Sequence, residues 1–239
     1  MPRRPRLAIP SIPWHVIQRG NNRSACFYAE DDYRYYLNTL REQANKYGCA
    51  IHAYVLMTNH VHLLLTPEKA DSPALMMKHL GQRYVQYINR SYRRSGTLWE
   101  GRFRSCLTQD ESYVLLCYRY IEMNPVRANM VVHPWDYPWS SYRVNAEGKY
   151  DPLVTPHELY LGLGATVAER QANYQSLFKV DLQADTLKSI RQATNGNYVL
   201  GDDRFKDEIE RMLGRRVKPG KAGRPRKYNN DEDDNQKLF

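Results

Sequence analysis

The chain has 239 residues, 42% of them hydrophobic, which is enough for one large domain or a medium domain with an appendage. Its formal net charge of +9 and isoelectric point near 9.3 point toward an anionic partner, nucleic acid first among them. No stretch approaches the roughly 18 apolar residues of a membrane span. The N-terminal MPRRPRLAIP lacks a signal peptide's apolar core, and Cys26, Cys49, Cys106 and Cys117 form no CxxC pair, so a cytoplasmic protein with reduced thiols and no membrane partner is expected.

WHVIQRG (14–20) reads as a strand closed by Gly20-Asn21-Asn22. AEDDYRYYLNTLREQANKYG (29–48) reads as a helix, with Asp31 or Asp32 as cap and Gly48 as stop. CAIHAYVLM (49–57) and HVHLLLT (60–66) read as strands, antiparallel because only Thr58-Asn59 joins them. A long helix over 72–92 follows, with Pro73 in its first turn. Residues 96–107 look extended, and 110–124 form a helix that Pro125 stops. This order predicts an α+β fold: a ferredoxin-like antiparallel sheet with helices on one face, over residues 1–145. After a linker near 145–152, residues 146–216 read as a helical accessory region. Its clearest helix is DDRFKDEIERMLGRR, stopped by Gly214. Residues 217–239, basic and then acidic, read as a disordered tail.

Two histidines in HVH share one face of their strand, about 7 Å apart along it. His60 and His62 can therefore hold one metal ion together, or stand as two partly exposed side chains at a strand start. The other five histidines read as isolated and structural. Asn124 is a candidate third ligand, and Tyr120, four residues earlier, shares its helix face. A phenol beside a metal is a competent nucleophile. The plainer alternative is a core tyrosine and a helix-ending asparagine. Tyr118 lies about 200° around the helix from Tyr120, and Tyr113 is two turns further from Asn124 than Tyr120 is.

Residues 81–104 hold six arginines, with Glu100 the one acid, interleaved with aromatic rings. Arg83, Tyr84, Trp99, Arg102 and Arg104 are the DNA-binding candidates there, the tyrosine equally suited to a core stripe. The polar loop QRGNNR offers Arg19, Asn21, Asn22 and Arg23 as readers of base edges. Arg224, Arg226 and Lys227 in GRPRK resemble an AT-hook core, and a generic basic tail fits them equally well.

The stretches VLMTNHVHLLLTP, LWEGRFRS, YRYIEMNPVRANMV and PWSSY together resemble the HUH single-tyrosine transposases, and most closely the REP-associated tyrosine transposases of bacteria. The resemblance covers about residues 10–145, and GNYVLGDDRFKDEIERMLGRRV is similar to the C-terminal extension of longer members. The family's Y-I-x-x-N-P pattern selects Tyr120 as nucleophile. The resemblance implies cleavage and rejoining of single-stranded DNA through a 5′-phosphotyrosine. It further implies Mg²⁺ or Mn²⁺ on His60, His62 and Asn124, and imperfect palindromic REP-type hairpins flanked by a tetranucleotide that loop 18–23 reads. A nucleoid-associated monomer or homodimer is expected. The rival expectation is a catalytically inactive nucleic-acid-binding protein on the same fold.

Overall fold

The computed structural model describes residues 5–220; the expected tail beyond 220, with Arg224, Arg226 and Lys227, lies outside the described residues. The elements follow the predicted order. β1 (Trp14–Arg19) leads through a turn to α1 (Glu30–Tyr47), whose entry is held by Asp32: its Oδ2 accepts the backbone N–H groups of Tyr28 and Ala29 at 2.7 and 3.0 Å. Gly48 ends α1 at φ +62°, a left-handed conformation that favours glycine. β2 (Cys49–Met57), β3 (His60–Pro67), α2 (Ser72–Ser91) and β4 (Arg104–Thr108) follow. The segment expected to be extended from residue 96 becomes a strand only at Arg104.

The sheet runs β2-β3-β1-β4, each neighbour antiparallel, which is the ferredoxin-like order. Period-two alternation divides β3 cleanly. Val61, Leu63 and Leu65 join the core under α1 and α2, while Leu64 joins a second core on the opposite face, the face that His60 and His62 share with it. That second core corrects the expectation of helices on one face. α3 (Asp110–Glu122) crosses β2 and β3 on the histidine side, and the C-terminal helices lie beside it. A sheet with apolar residues on both faces requires cover on both.

α3 also stops earlier than expected. Met123 leaves helical geometry (ψ 1°), and Asn124 opens α4 (Asn124–Arg127) with Pro125 in its first turn. Proline has no N–H to continue the ladder and crowds the carbonyl four residues back, which accounts for the break. Beyond it come α5 (Tyr142–Glu147), α6 (Glu158–Leu161), α7 (Val167–Ser176), α8 (Ala184–Gly196), β5 (Val199–Leu200) and α9 (Asp203–Leu213). α8 packs on β4 and β1, and β5, which local sequence did not announce, pairs in parallel with β4. Tyr160, Tyr174, Ile190 and Leu200 share a core with Ala53, Leu64 and Tyr118.

His52 sits where β2 slips register between Ile51 and Ala53. Its Nδ1–H donates to the Thr155 carbonyl at 2.7 Å, so its Nε2 accepts from the Thr66 hydroxyl at 2.8 Å. Burial pushes its pKa down to about 4, against the bond to Thr155 and with a smaller contribution from His157. A depressed histidine contributes stability that is full above its unfolded value near 6.5 and is lost as pH falls toward 4. Urea unfolding of wild type and His52→Gln should therefore show the wild-type advantage shrinking by about 2–3 kcal/mol between pH 7 and pH 4.5. Parallel pH profiles would refute this account.

Candidate active site and nucleic-acid groove

The β1–β3 register places Arg19 opposite His60, Ile17 opposite His62 and His15 opposite Leu64, all on the α3–α8 face. The His60 and His62 rings lie 5.1 Å apart, nearly perpendicular. His60 is half-buried and its Nδ1 donates to Asn59 Oδ1 at 2.6 Å. The Asn59 amide is oriented by its own Nδ2, which donates to the Arg23 carbonyl. Burial and the Arg19 charge push His60 down to about 4, while its hydrogen bond with the Asn124 side chain acts the other way. His62 is buried, and its pKa falls well below the ordinary value through burial and then the neighbouring His15 and His60. Both imidazoles are therefore neutral at pH 7.

His15 is not the isolated histidine expected from the sequence. Its ring stacks on His62 at 5.0 Å, with His15 Nε2 2.8 Å from His62 Nδ1. Its Nδ1 lies 2.9 Å from Thr194 Oγ1 in α8, and that hydroxyl donates its one proton to the Ile190 carbonyl at 2.8 Å. Proton bookkeeping then fixes the chain. Thr194 accepts from His15 Nδ1–H, and His15 Nε2 accepts from His62 Nδ1–H. In both candidate ligands Nδ1 carries the proton, so Nε2 keeps its lone pair. That is the tautomer a metal-binding histidine needs, oriented by its neighbours.

Tyr120, on α3, is buried with its ring 5.6 Å from His62 and 5.5 Å from His15, edge-on to both. The Arg127 guanidinium lies 4.5 Å from the Tyr120 ring centroid and its Nη2 donates to the Tyr120 carbonyl. Despite the helix break, Tyr120 and Asn124 thus reach the same histidine pair. Tyr118, on the same helix, turns into the core against Tyr160 and Tyr174. Between Tyr120 and Asn124, buried Glu122 accepts from Ser141 Oγ (2.6 Å) and Asn145 Nδ2 (2.8 Å) on one oxygen and from the Tyr174 hydroxyl (2.6 Å) on the other. Burial pushes its carboxyl up to about 7 against the pull of those three donors.

Beside the histidines, Arg19, Arg23, Arg102 and Arg104 line a cavity of about 250 Å³ with Ile17, Glu100 and Asn195. Arg104 donates to Asn195 Oδ1 at 3.1 Å and pairs with Glu100 at 3.4 Å. Asn22 and Arg23 adopt positive φ (50° and 59°) in the exposed turn above it, and the half-buried Asn21 begins that turn. Arg83 stands apart on α2, paired with Glu42. Tyr84 is a correction: it is fully buried and its hydroxyl donates to the Cys26 carbonyl at 2.7 Å, so its ring belongs to the core and cannot stack on DNA. Trp99 is also largely buried. His15, Thr194 and Asn195 were missed from sequence, since only strand pairing and the return of α8 bring them here.

Among the described residues no group of three or more His, Cys, Asp or Glu side chains forms a metal site. The set that could hold a cation is two neutral imidazoles whose Nε2 atoms keep their lone pairs and one amide, a donor set suited to a divalent ion. No helix among the described residues is long and apolar enough to cross a membrane.

Residues 8–124 match the family described as transposase, IS200-like. A Haemophilus influenzae protein described as a REP-associated tyrosine transposase is 24% identical over 136 residues, 52% of this chain and 77% of that one. The solved structure of a REP-associated tyrosine transposase bound to a REP hairpin aligns with 66% of this chain and 93% of its own, at 19% identity and a TM-score of 0.53, which is a likeness of fold. Over residues 8–124 the chain is similar to the IS200-like transposase family, and the relatives it resembles are REP-associated tyrosine transposases.

Proposed function

We propose that the protein cleaves and rejoins single-stranded DNA at REP-type hairpins, with Tyr120 as nucleophile and His60, His62 and Asn124 as holders of a divalent metal. The observation that carries this reading is the meeting of a buried phenol, two neutral imidazoles and an amide beside a cavity lined by four arginines. The hairpin-bound relative supports the choice of DNA. Mg²⁺ or Mn²⁺, when bound, neutralises charge on the scissile phosphate and makes its phosphorus more electrophilic.

The chain's own residues do the rest. Arg102 and Arg104 bind phosphates and lay the strand along the histidine face, beside Arg19 and Arg23 of the reading loop. Tyr120 Oη forms a bond to phosphorus as its proton passes to solvent water; the bond from phosphorus to the 3′ oxygen breaks, and that oxygen takes a proton from water. The DNA is left as a 5′-phosphotyrosine and a free 3′-hydroxyl. One phosphodiester replaces another, so attack by a second 3′-hydroxyl reseals a strand without outside energy. Such chemistry asks for alignment and charge neutralisation rather than elaborate proton transfer. The protein acts as a monomer or homodimer within the nucleoid, and loop 18–23 reads the flanking tetranucleotide.

Tyr120→Phe should eliminate the covalent adduct with labelled hairpin DNA while changing affinity less than about twofold, whereas Tyr118→Phe and Tyr113→Phe should retain it. Peptide mapping of the trapped adduct is the check. An adduct at another tyrosine would move the nucleophile, and no adduct in wild type would leave a binding protein. Thr194→Val keeps shape but removes the acceptor for His15. Cleavage should then need about 10- to 100-fold more Mn²⁺ for half-maximal rate. An unchanged Mn²⁺ midpoint would show that the Thr194–His15 chain does not orient His62. Arg104→Ala should weaken binding to all sequences alike and reduce the slope of log affinity against log salt by about one unit. A sequence-selective loss would make Arg104 a base reader instead.

A further inference from the structure

Four buried tyrosines of this fold are held by their hydroxyls. Tyr84 donates to the Cys26 carbonyl, Tyr137 to the Leu56 carbonyl, Tyr160 to the Asn145 carbonyl and Tyr174 to Glu122, all at 2.6 to 2.7 Å. Tyr36 and Tyr118, whose hydroxyls have no partner, are held by complete burial instead. Tyr120 differs from both groups. It keeps 6% of its surface exposed, and among the described residues nothing hydrogen-bonds its hydroxyl. A nucleophile needs that freedom, because its oxygen must reach phosphorus. The ring then has to be aimed from somewhere other than its hydroxyl.

Arg127, the last residue of α4, supplies that hold. Its guanidinium lies 4.5 Å from the Tyr120 ring centroid, and its Nη2 donates to the carbonyl of the same tyrosine. One planar group thus grips both the ring and the backbone of a single residue. His15 and His62 meet the ring edge-on from the sheet side. The charge of Arg127 has no other use in the fold. Arg34, Arg83 and Arg104 pair with Glu30, Glu42 and Glu100. The side chains that act on Arg127 are Tyr120 and a second cation, Arg191. Burial pushes its pKa down to about 10, with Tyr120 acting against the fall and Arg191 adding to it. A half-buried cation without a carboxylate is unfavourable, and an apolar side chain of equal length would fill the space without that cost. The clamp also spans the helix break. Asn124 opens the four-residue α4 and Arg127 closes it, so candidate ligand and clamp share one short helix.

Resting on the strand-cleavage reading above, we infer that Arg127 is the positioning residue for Tyr120. Its guanidinium fixes the phenol edge-on to the histidines and leaves the hydroxyl free to attack. Arg127 acts through the nucleophile and touches neither metal nor DNA, so its loss falls on the rate of attack and not on affinity for either.

The test follows single-turnover formation of the covalent adduct with labelled hairpin DNA by the full-length protein, with DNA and Mn²⁺ each varied to saturation. Arg127→Met keeps length and bulk. It should lower the saturated rate about 100-fold, the scale of a small misplacement of a reacting group. The DNA concentration for half-saturation, the Mn²⁺ midpoint and the salt dependence of binding should stay within about twofold of wild type. Arg127→Lys keeps the charge without the planar fork and should lose rate as well. Millimolar guanidinium added to Arg127→Ala should restore part of the lost rate and leave wild type unchanged, a rescue that a general folding defect would not show. If Arg127→Met melts below the assay temperature, Arg127→Lys and the guanidinium rescue carry the test. A wild-type rate in either Arg127→Met or Arg127→Lys overturns the assignment. So does a loss seen only as weaker DNA binding or a raised Mn²⁺ midpoint, which would make Arg127 part of the DNA or metal site. No adduct in wild type overturns the strand-cleavage reading itself.

Discussion

The buried carboxylate of Glu122 is the contact on which the geometry of the site depends. It lies two residues beyond Tyr120 and two before Asn124, and its donors come from three places: Ser141 at the end of the PWSS segment, Asn145 in α5 and Tyr174 in α7. Ser141 Oγ also accepts the backbone N–H of Tyr54 in β2, so one cluster ties the α3 helix to the sheet and to the C-terminal helices. An isolated buried carboxylate would be very costly, and three converging donors offset that cost only in one arrangement. Such a cluster orients more than it stabilises. It holds α3 from behind, so that Tyr120 faces the histidines from in front, and it does so across the irregular junction at Met123.

The division of labour between the two faces of the sheet follows from the period of a strand. In β3 the odd positions are apolar and fill the core under α1 and α2. The even positions carry two imidazoles and then Leu64, and that face is completed by α3 and α8. One residue of register slip would exchange the two sets, placing imidazoles in the apolar core. The apolar set is therefore also what fixes the histidines in place. Burial on this face has a chemical effect too, because it favours the neutral form of both rings.

Much of this was legible in the sequence, for local reasons. β1 to β4 and α1 to α3 announce themselves by period, by Gly48 and by Pro125, and HVH declares a shared face wherever a strand is assigned. The shared face of Tyr120 and Asn124 is legible by spacing, though their helix breaks between them, and it was the family resemblance that singled out Tyr120. What was illegible depends on distant pairing. His15 looked solitary because its partner is 47 residues away and is met only through the β1–β3 register. Thr194 and Asn195 are ordinary helix residues until α8 returns to the sheet. Tyr84 was ambiguous for another reason: a tyrosine stripe on a helix suits a core or a surface equally, and only burial decides. The two-residue β5 is too short to carry any pattern of its own.

The contact between Thr194 and His15 joins residues 179 apart in the chain. During synthesis the tyrosine, both candidate ligands and the four arginines all emerge long before the hydroxyl that sets the direction of the histidine chain. A partly made protein can therefore hold the candidate site residues without holding them in order. A chain that lacks α8 therefore carries the candidate tyrosine and histidines without the hydroxyl that orients them, so the proposed activity would depend on the C-terminal helices being made and packed.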